Sequence, residues 1–221
     1  QIFEALLSSP HGDELLDTKY AHGADIAALS GLAWAGYLST TGVYGDTGGT
    51  WVTEDAPLKA TGTRGLRRVA AEQGWLDLFQ NHGTPVHIFR LPGIYGPGRS
   101  ALDRVREGKA RRIDLPDQVF SRVHVDDIAS GVVAALVLNA PAGAYNLGDD
   151  LPCSGNEVTE HACRLLGLPL PPLETLEDAN LSEMARGFYM ENRRVANGKA
   201  KRVLGWEPAY PTYVEGLSEL L

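Results

Sequence analysis

The sequence holds 221 residues at 43% hydrophobic content, enough for one substantial core with a small annex. Twenty basic against 28 acidic residues leave a net charge of −8, which argues against non-specific binding to nucleic acid or anionic membranes. No apolar run approaches the ~18 residues of a membrane span. The two cysteines, Cys153 and Cys163, make no metal-like spacing with the scattered histidines, and reduced thiols in a cytoplasmic protein are the simplest account.

In chain order, Ile2 to Leu7 reads as a strand ending in Ser8-Ser9-Pro10, and residues 13–29 as a helical region. An apolar run without alternation follows, Leu32 to Leu38, suited to a central parallel strand covered on both faces. It ends in Ser39-Thr40-Thr41-Gly42-Val43-Tyr44-Gly45-Asp46. Two readings of these hydroxyls stand: a ligand bound at the carboxyl end of a strand, or the cap of a turn. Val52 to Pro57 reads as a surface loop. Thr61 or Thr63 starts a helix whose apolar positions Leu66, Val69, Leu76 and Phe79 recur at helical spacing up to Asn81-His82-Gly83. A third strand, Pro85 to Leu91, ends in Pro92-Gly93-Ile94-Tyr95-Gly96-Pro97-Gly98. Strand and helix alternate, which predicts a parallel α/β sheet.

The texture changes near Arg99. Residues 99–122 are charged and read as irregular, and the pairs Arg67-Arg68, Arg111-Arg112 and Arg193-Arg194 read as solvated surface. Val123-His124-Val125-Asp126-Asp127 leads into an apolar helix to Leu138, with the acidic pair at its positive end. Ala144 to Gly148 is a short strand. Ser154 and Glu157 form a capping box for a helix that Gly167 stops, Leu168 to Pro172 is a stiff connector, and the tail mixes a helix with a proline-bounded loop.

The segments Leu38 to Asp46, Arg90 to Gly98, Val123 to Ala129 and Tyr145 to Gly148, in this order, resemble the extended short-chain dehydrogenase/reductases, the NAD-dependent epimerase/dehydratase family. The resemblance implies a doubly wound Rossmann-type parallel sheet with a smaller α/β substrate subdomain. It divides the chain into residues 1–98 and 123–150 for the dinucleotide and 99–122 and 151–221 for the substrate. Two departures accompany it. The family opens with a strand and a glycine-rich loop that cradles the pyrophosphate, and this sequence reads as a fragment that begins after it. Gly42, Gly45 and Gly48 have a similar spacing but lead into Gly49-Thr50-Trp51 and a proline loop instead of a helix. The family also pairs its strand-tip hydroxyl with Tyr-x-x-x-Lys on the next helix. Aligning Ala71-Glu72 puts Arg64 at the tyrosine and Arg68 at the lysine position, and an arginine stays protonated and cannot serve as acid or base. This resembles the atypical branch of the family.

The resemblance implies NAD or NADP as cofactor. Its nicotinamide end is expected among Ser9, Pro10, Leu38, Thr40, Arg68, Leu91, Pro92 and Gly93, the tips of adjacent parallel strands and the helix facing them. Thr40 is the candidate to polarise a substrate carbonyl, with Tyr44 or Tyr95 as substitute proton carrier, and Arg68 reads either as a ribose or phosphate ligand or as a solvated helix arginine. Tyr44, Tyr95, Arg99, Arg122 and His124 are expected along a substrate cleft, where arginines suit an anionic small molecule; His124 reads equally as a hydrogen-bonded core residue. The expected activity is that of an epimerase/dehydratase-like protein acting on a nucleotide-sugar-like or other hydroxylated substrate; a non-catalytic dinucleotide sensor or scaffold is the alternative. The expected partners are that small molecule and a second copy as homodimer, with no nucleic acid, membrane or metal.

Overall fold

The computed structural model describes residues 32–83 and 85–221. The first strand and helix read from the sequence, and with them Ser9 and Pro10, lie outside the described residues.

The central sheet is parallel, with β3 (Val86–Leu91) between β1 (Ala35–Thr40) and β7 (Gly143–Asn146). All six residues of β3 are buried, as a strand with a helix on each face requires. Alternation divides its side chains between two cores. Val86 and Ile88 meet Tyr37 of β1 and Ala71 and Trp75 of helix α1 (Thr63–His82) on one face. On the other, Phe89 and Leu91 join Tyr145 and Leu147 beneath helix α3 (Val125–Val137), which contributes Ile128, Val132 and Ala135. At roughly 25 cal/mol per Å² of apolar surface buried, these two cores are the main source of stability. A Cβ at Gly131 of α3 would stand 2.8 Å from the Leu147 side chain, so glycine lets α3 lie close to the sheet. The register pairs Thr40 with Leu91 and Arg90 with Asn146, so the three strands end at one level.

A second layer grows from that level. β4 (Gly93–Tyr95) follows β3 after a single residue and pairs in parallel with β6 (Arg122–His124), and β5 (Arg112–Ile113) pairs with β8 (Leu173–Glu174). Around them α2 (Ala101–Arg106), α4 (Gly155–Leu166) and α7 (Tyr213–Glu219) enclose a separate core of Tyr95, Leu102, Val105, Cys153, Val158, Ala162, Cys163 and Leu217. Both cysteines are buried and unbridged. A short helix, α5 (Glu183–Tyr189), flanks this layer. The chain then returns to the central sheet: β9 (Arg194–Val195) pairs with β2 (Trp51–Val52), and α6 (Gly198–Leu204) packs Ala200 and Leu204, followed by Trp206, on the α3 side. The Trp206 Nε1–H donates to the Asp127 carbonyl at 3.1 Å and to Ser130 Oγ at 3.0 Å.

Three local expectations are revised. Residues 99–122, read as irregular, contain α2, whose start is fixed by a reciprocal box between Ser100 and Asp103. The loop from Val52 opens as the strand β2, stabilised by a partner over 140 residues away. The helix expected from Ile128 starts at Val125, where His124 caps it by accepting the Asp126 N–H at 3.3 Å.

Candidate functional site

The tip of β1 is built by hydroxyls with different tasks. Ser39 is 5% exposed and its Oγ donates to Glu72 Oε1 at 2.6 Å, which ties the strand to α1. Thr40, half-buried, accepts the Gly42 N–H at 3.1 Å and so caps the 3-10 turn Thr41–Tyr44. Because the oxygen accepts there, the hydroxyl proton is left to be donated elsewhere. Beyond the turn Gly45 takes φ +68°, and a Cβ there would lie 2.2 Å from the Lys59 carbonyl, so this glycine serves the turn.

Behind the tip runs a buried polar network. Arg90 of β3 donates through Nε and Nη2 to both Glu72 oxygens at 2.8–3.2 Å, and through Nη1 to Tyr44 Oη at 2.9 Å and the Glu54 carbonyl at 3.0 Å. Tyr44 in turn donates to Asn146 Oδ1 at 2.7 Å. Tyr44 is therefore a fully buried brace between β1, β3 and β7 and does not face a cleft; burial pushes its hydroxyl pKa up.

Arg68, one turn before Glu72 on the same face of α1, also reaches β1. Its Nη1 donates to the Leu38 carbonyl at 3.1 Å and to Tyr37 Oη at 3.2 Å, which holds a half-buried guanidinium beside Thr40 at the carboxyl ends of β1 and β3. Nε and Nη2 have no hydrogen-bond partner among the described residues. Arg64, one turn earlier, is exposed. No tyrosine hydroxyl bonds Thr40 among the described residues: Tyr37 is held by Arg68, Tyr44 by Asn146, and Tyr95 donates at 3.5 Å to the Thr212 carbonyl.

A cavity of about 660 Å³ opens in the second layer just past the β3 tip. Tyr95, Arg99 and Arg122 line it, together with Arg104 of α2 and Tyr189 of α5; Tyr44 and His124 do not. Arg122 is anchored by Nη1 and Nη2 to the carbonyls of Phe120, Cys153 and Ser154 at 2.9–3.3 Å and lies over the Phe120 ring. Tyr95 is 8% exposed, and burial raises its hydroxyl well above the usual range. His124 is a core residue, 1% exposed, its ring 5.2 Å edge-on from Tyr95 and 4.2 Å from Tyr210. Asp149 joins this group from the end of β7, its N–H donating to the Arg122 carbonyl at 2.7 Å. It is 2% exposed, and neither side-chain oxygen has a hydrogen-bond partner among the described residues. Burial pushes its carboxyl up to about 7; the Arg122 charge and the nearby Leu151 and Arg122 amides pull it down without completing a hydrogen bond.

Leu38, Thr40, Arg68, Leu91, Pro92 and Gly93 are thus gathered at one strand edge, and Tyr95, Arg99 and Arg122 at the adjoining cleft. Glu72, Arg90, Asp149, Arg104 and Tyr189 escaped the sequence reading. Asp149 had a signal, an acid directly after a strand-tip glycine; Arg90 had one too, a charge inside a strand otherwise apolar enough to be central.

The family model described as "NAD dependent epimerase/dehydratase family" matches residues 24–148. The chain is 33% identical over 166 residues to a 3-diazoavenalumate denitrifying reductase of a Streptomyces species, covering 69% of this chain and 49% of that protein. It is 30% identical over 200 residues to the UDP-glucose 4-epimerase of Bacillus subtilis, covering 77% of this chain and 57% of that protein. Among solved structures, a functionally unknown conserved protein from Silicibacter pomeroyi superposes with a TM-score of 0.85 at 46% identity, covering 92% of this chain and 71% of that one. The chain spans about half the length of the curated relatives it matches.

Proposed function

Because the chain belongs to the NAD-dependent epimerase/dehydratase family, we propose that it binds NAD or NADP at the carboxyl edge of its central sheet and turns over a small anionic molecule held in the adjoining cleft. The observation that carries this is Arg68: a half-buried guanidinium fixed to the Leu38 carbonyl at the strand tips, with two nitrogens unengaged among the described residues. In open α/β sheets ligands sit at that edge.

The residues present fit the nicotinamide end of such a cofactor. Thr40 offers a hydroxyl proton, Arg68 a cation for ribose or phosphate oxygens, and the chain at Leu91-Pro92-Gly93 a wall free of bulky polar groups; Ser9 and Pro10 are proposed with them. The bound dinucleotide supplies hydride exchange at a carbon bearing oxygen or a comparable electrophile. On the substrate side, Thr40 polarises that oxygen by hydrogen bonding, and Arg99 binds the anionic group in the positive field of the anchored Arg122. The substrate is an anion with a hydroxyl or carbonyl, nucleotide sugars included, and the division of the chain into residues 1–98 and 123–150 for the dinucleotide and 99–122 and 151–221 for the substrate is proposed with it. Relatives named as a reductase and an epimerase support a catalytic reading over a purely sensory one.

Calorimetric titration of the full-length protein with NAD and NADP tests this. One of them should saturate a single site, and Arg68→Ala should weaken it ~10-fold or more, the scale of a charge-assisted contact, with an unchanged melting curve. Absence of binding by both dinucleotides overturns the reading.

A further inference from the structure

Resting on the reading of the cleft as a substrate site, we propose that its ligand is an aromatic carboxylate: a planar ring carrying one compact anion, held between an aromatic flap and two arginines that have no side-chain partner among the described residues.

The flap is α5. Its Phe188 and Tyr189 line the cleft, and Tyr189 meets Phe120 edge to face at 5.5 Å and 89°, leaving ring surfaces turned to the open volume. Phe188 lines the cleft and is 61% exposed, so its ring is accessible to a ligand there. A flat ligand ring gains from such neighbours in a way that a saturated ring does not.

The charges limit the anion. Five cationic side chains line the cleft, but three are engaged: Lys109 with Glu107 at 2.9 Å, Arg111 with Glu174 at 3.1 Å, and Arg122 with the carbonyls described above. The side chains of Arg99 and Arg104 make no hydrogen bond or ion pair among the described residues, and both are exposed to the cleft. Two guanidinium forks match one carboxylate. A diphosphate would bring at least two charges into a space that Asp103 and Glu107 also line, and their like charge opposes it. Tyr189 adds a hydroxyl within the fields of Arg104 and Arg122, placed to bond a polar substituent on the ring.

The probes are 4-hydroxycinnamate, cyclohexanecarboxylate, inorganic phosphate and uridine diphosphate, titrated calorimetrically into the full-length protein without dinucleotide. 4-Hydroxycinnamate should bind tightest, ~10-fold ahead of the saturated acid, as ring contacts of this kind allow. Arg104→Gln and Tyr189→Leu, both at accessible positions on short helices, should each weaken it ~5-fold or more at an unchanged melting temperature. Uridine diphosphate binding more tightly than 4-hydroxycinnamate, equal affinity for the saturated acid, indifference to both substitutions, or no binding by any probe overturns the proposal. Any of these with dinucleotide binding intact leaves the proposed function standing, whereas loss of dinucleotide binding alone would leave the cleft chemistry standing.

Discussion

Asp149 sits one residue past the Gly148 that ends the β7 tip, with its carboxyl pushed up to about 7 by burial. The folded state therefore holds this proton more tightly than the unfolded chain. The stability it contributes is fully present below the ordinary carboxylate range and is lost as pH rises toward and through about 7. Asp149→Asn, which mimics the protonated acid, should change little near pH 4 and stabilise the protein increasingly above pH 5, by about 2 kcal/mol or more at pH 8. Urea unfolding at three pH values checks this, and a pH-independent difference would refute it. Glu72 acts through its partners. Its two oxygens take three donor contacts from Arg90 and one from Ser39, all out of solvent. Glu72→Ala would strand a buried guanidinium, at a cost of about 3–5 kcal/mol, read as a lowered urea midpoint. Glu72 did not announce its role in the sequence, because its partner Arg90 stands 18 positions away and is brought alongside by the sheet; Asp149 announced its place, after a strand-tip glycine, but not its burial, which only the fold supplies.

Helix α4 carries one side of the cleft, and its start rests on a short motif. Ser154 Oγ accepts the Glu157 N–H at 3.1 Å, while Glu157 returns a carboxylate to the Ser154 N–H at 2.8 Å. Ser154→Ala should lower stability by about 1 kcal/mol, seen as a fall in thermal midpoint, and a neutral result would show the cap to be redundant. This motif was legible, as was Gly167, which ends α4 at φ +64°. Helix α1 was legible from Leu66, Val69 and Leu76, and its end at His82 matches the Asn81-His82-Gly83 punctuation. Helix α2 was not, because its six residues offer only Leu102 and Val105 as buried apolar positions, too few to establish a period. For β2 and β9, two residues each, the decisive information lies in the other strand.

At the scale of the molecule, the edge proposed for the dinucleotide carries Arg64 and Arg68 where the resemblance places the family's tyrosine and lysine. Proton transfer from a positioned group contributes ~10²–10⁴-fold to rate, and neither Arg64 nor Arg68 can supply it. Turnover of NAD or NADP with nucleotide sugars and simple alcohols by the full-length protein should therefore be slow, and Arg64→Tyr with Arg68→Lys should raise it; robust turnover by the unmodified protein would overturn this expectation. The strand edge could be read from the sequence because hydroxyls and glycines cluster directly after apolar runs, whereas the cleft's aromatic wall, from Phe120 and α5, comes from segments without a period to read.

The same wall is closed from far down the chain. At Gly216 of α7 a Cβ would fall 2.0 Å from Tyr95 Oη, so that helix rests directly on the cleft's tyrosine, and β2 finds its only strand pairing among the described residues in β9. During synthesis, β1, α1 and β3 can dock as soon as they emerge, since their contacts are near in sequence. Tyr95 must wait until residue 216 has left the ribosome. The strand edge is then an early product of translation and the cleft a late one, and a stalled or truncated chain would present the edge proposed for the dinucleotide before the cleft proposed for the substrate exists.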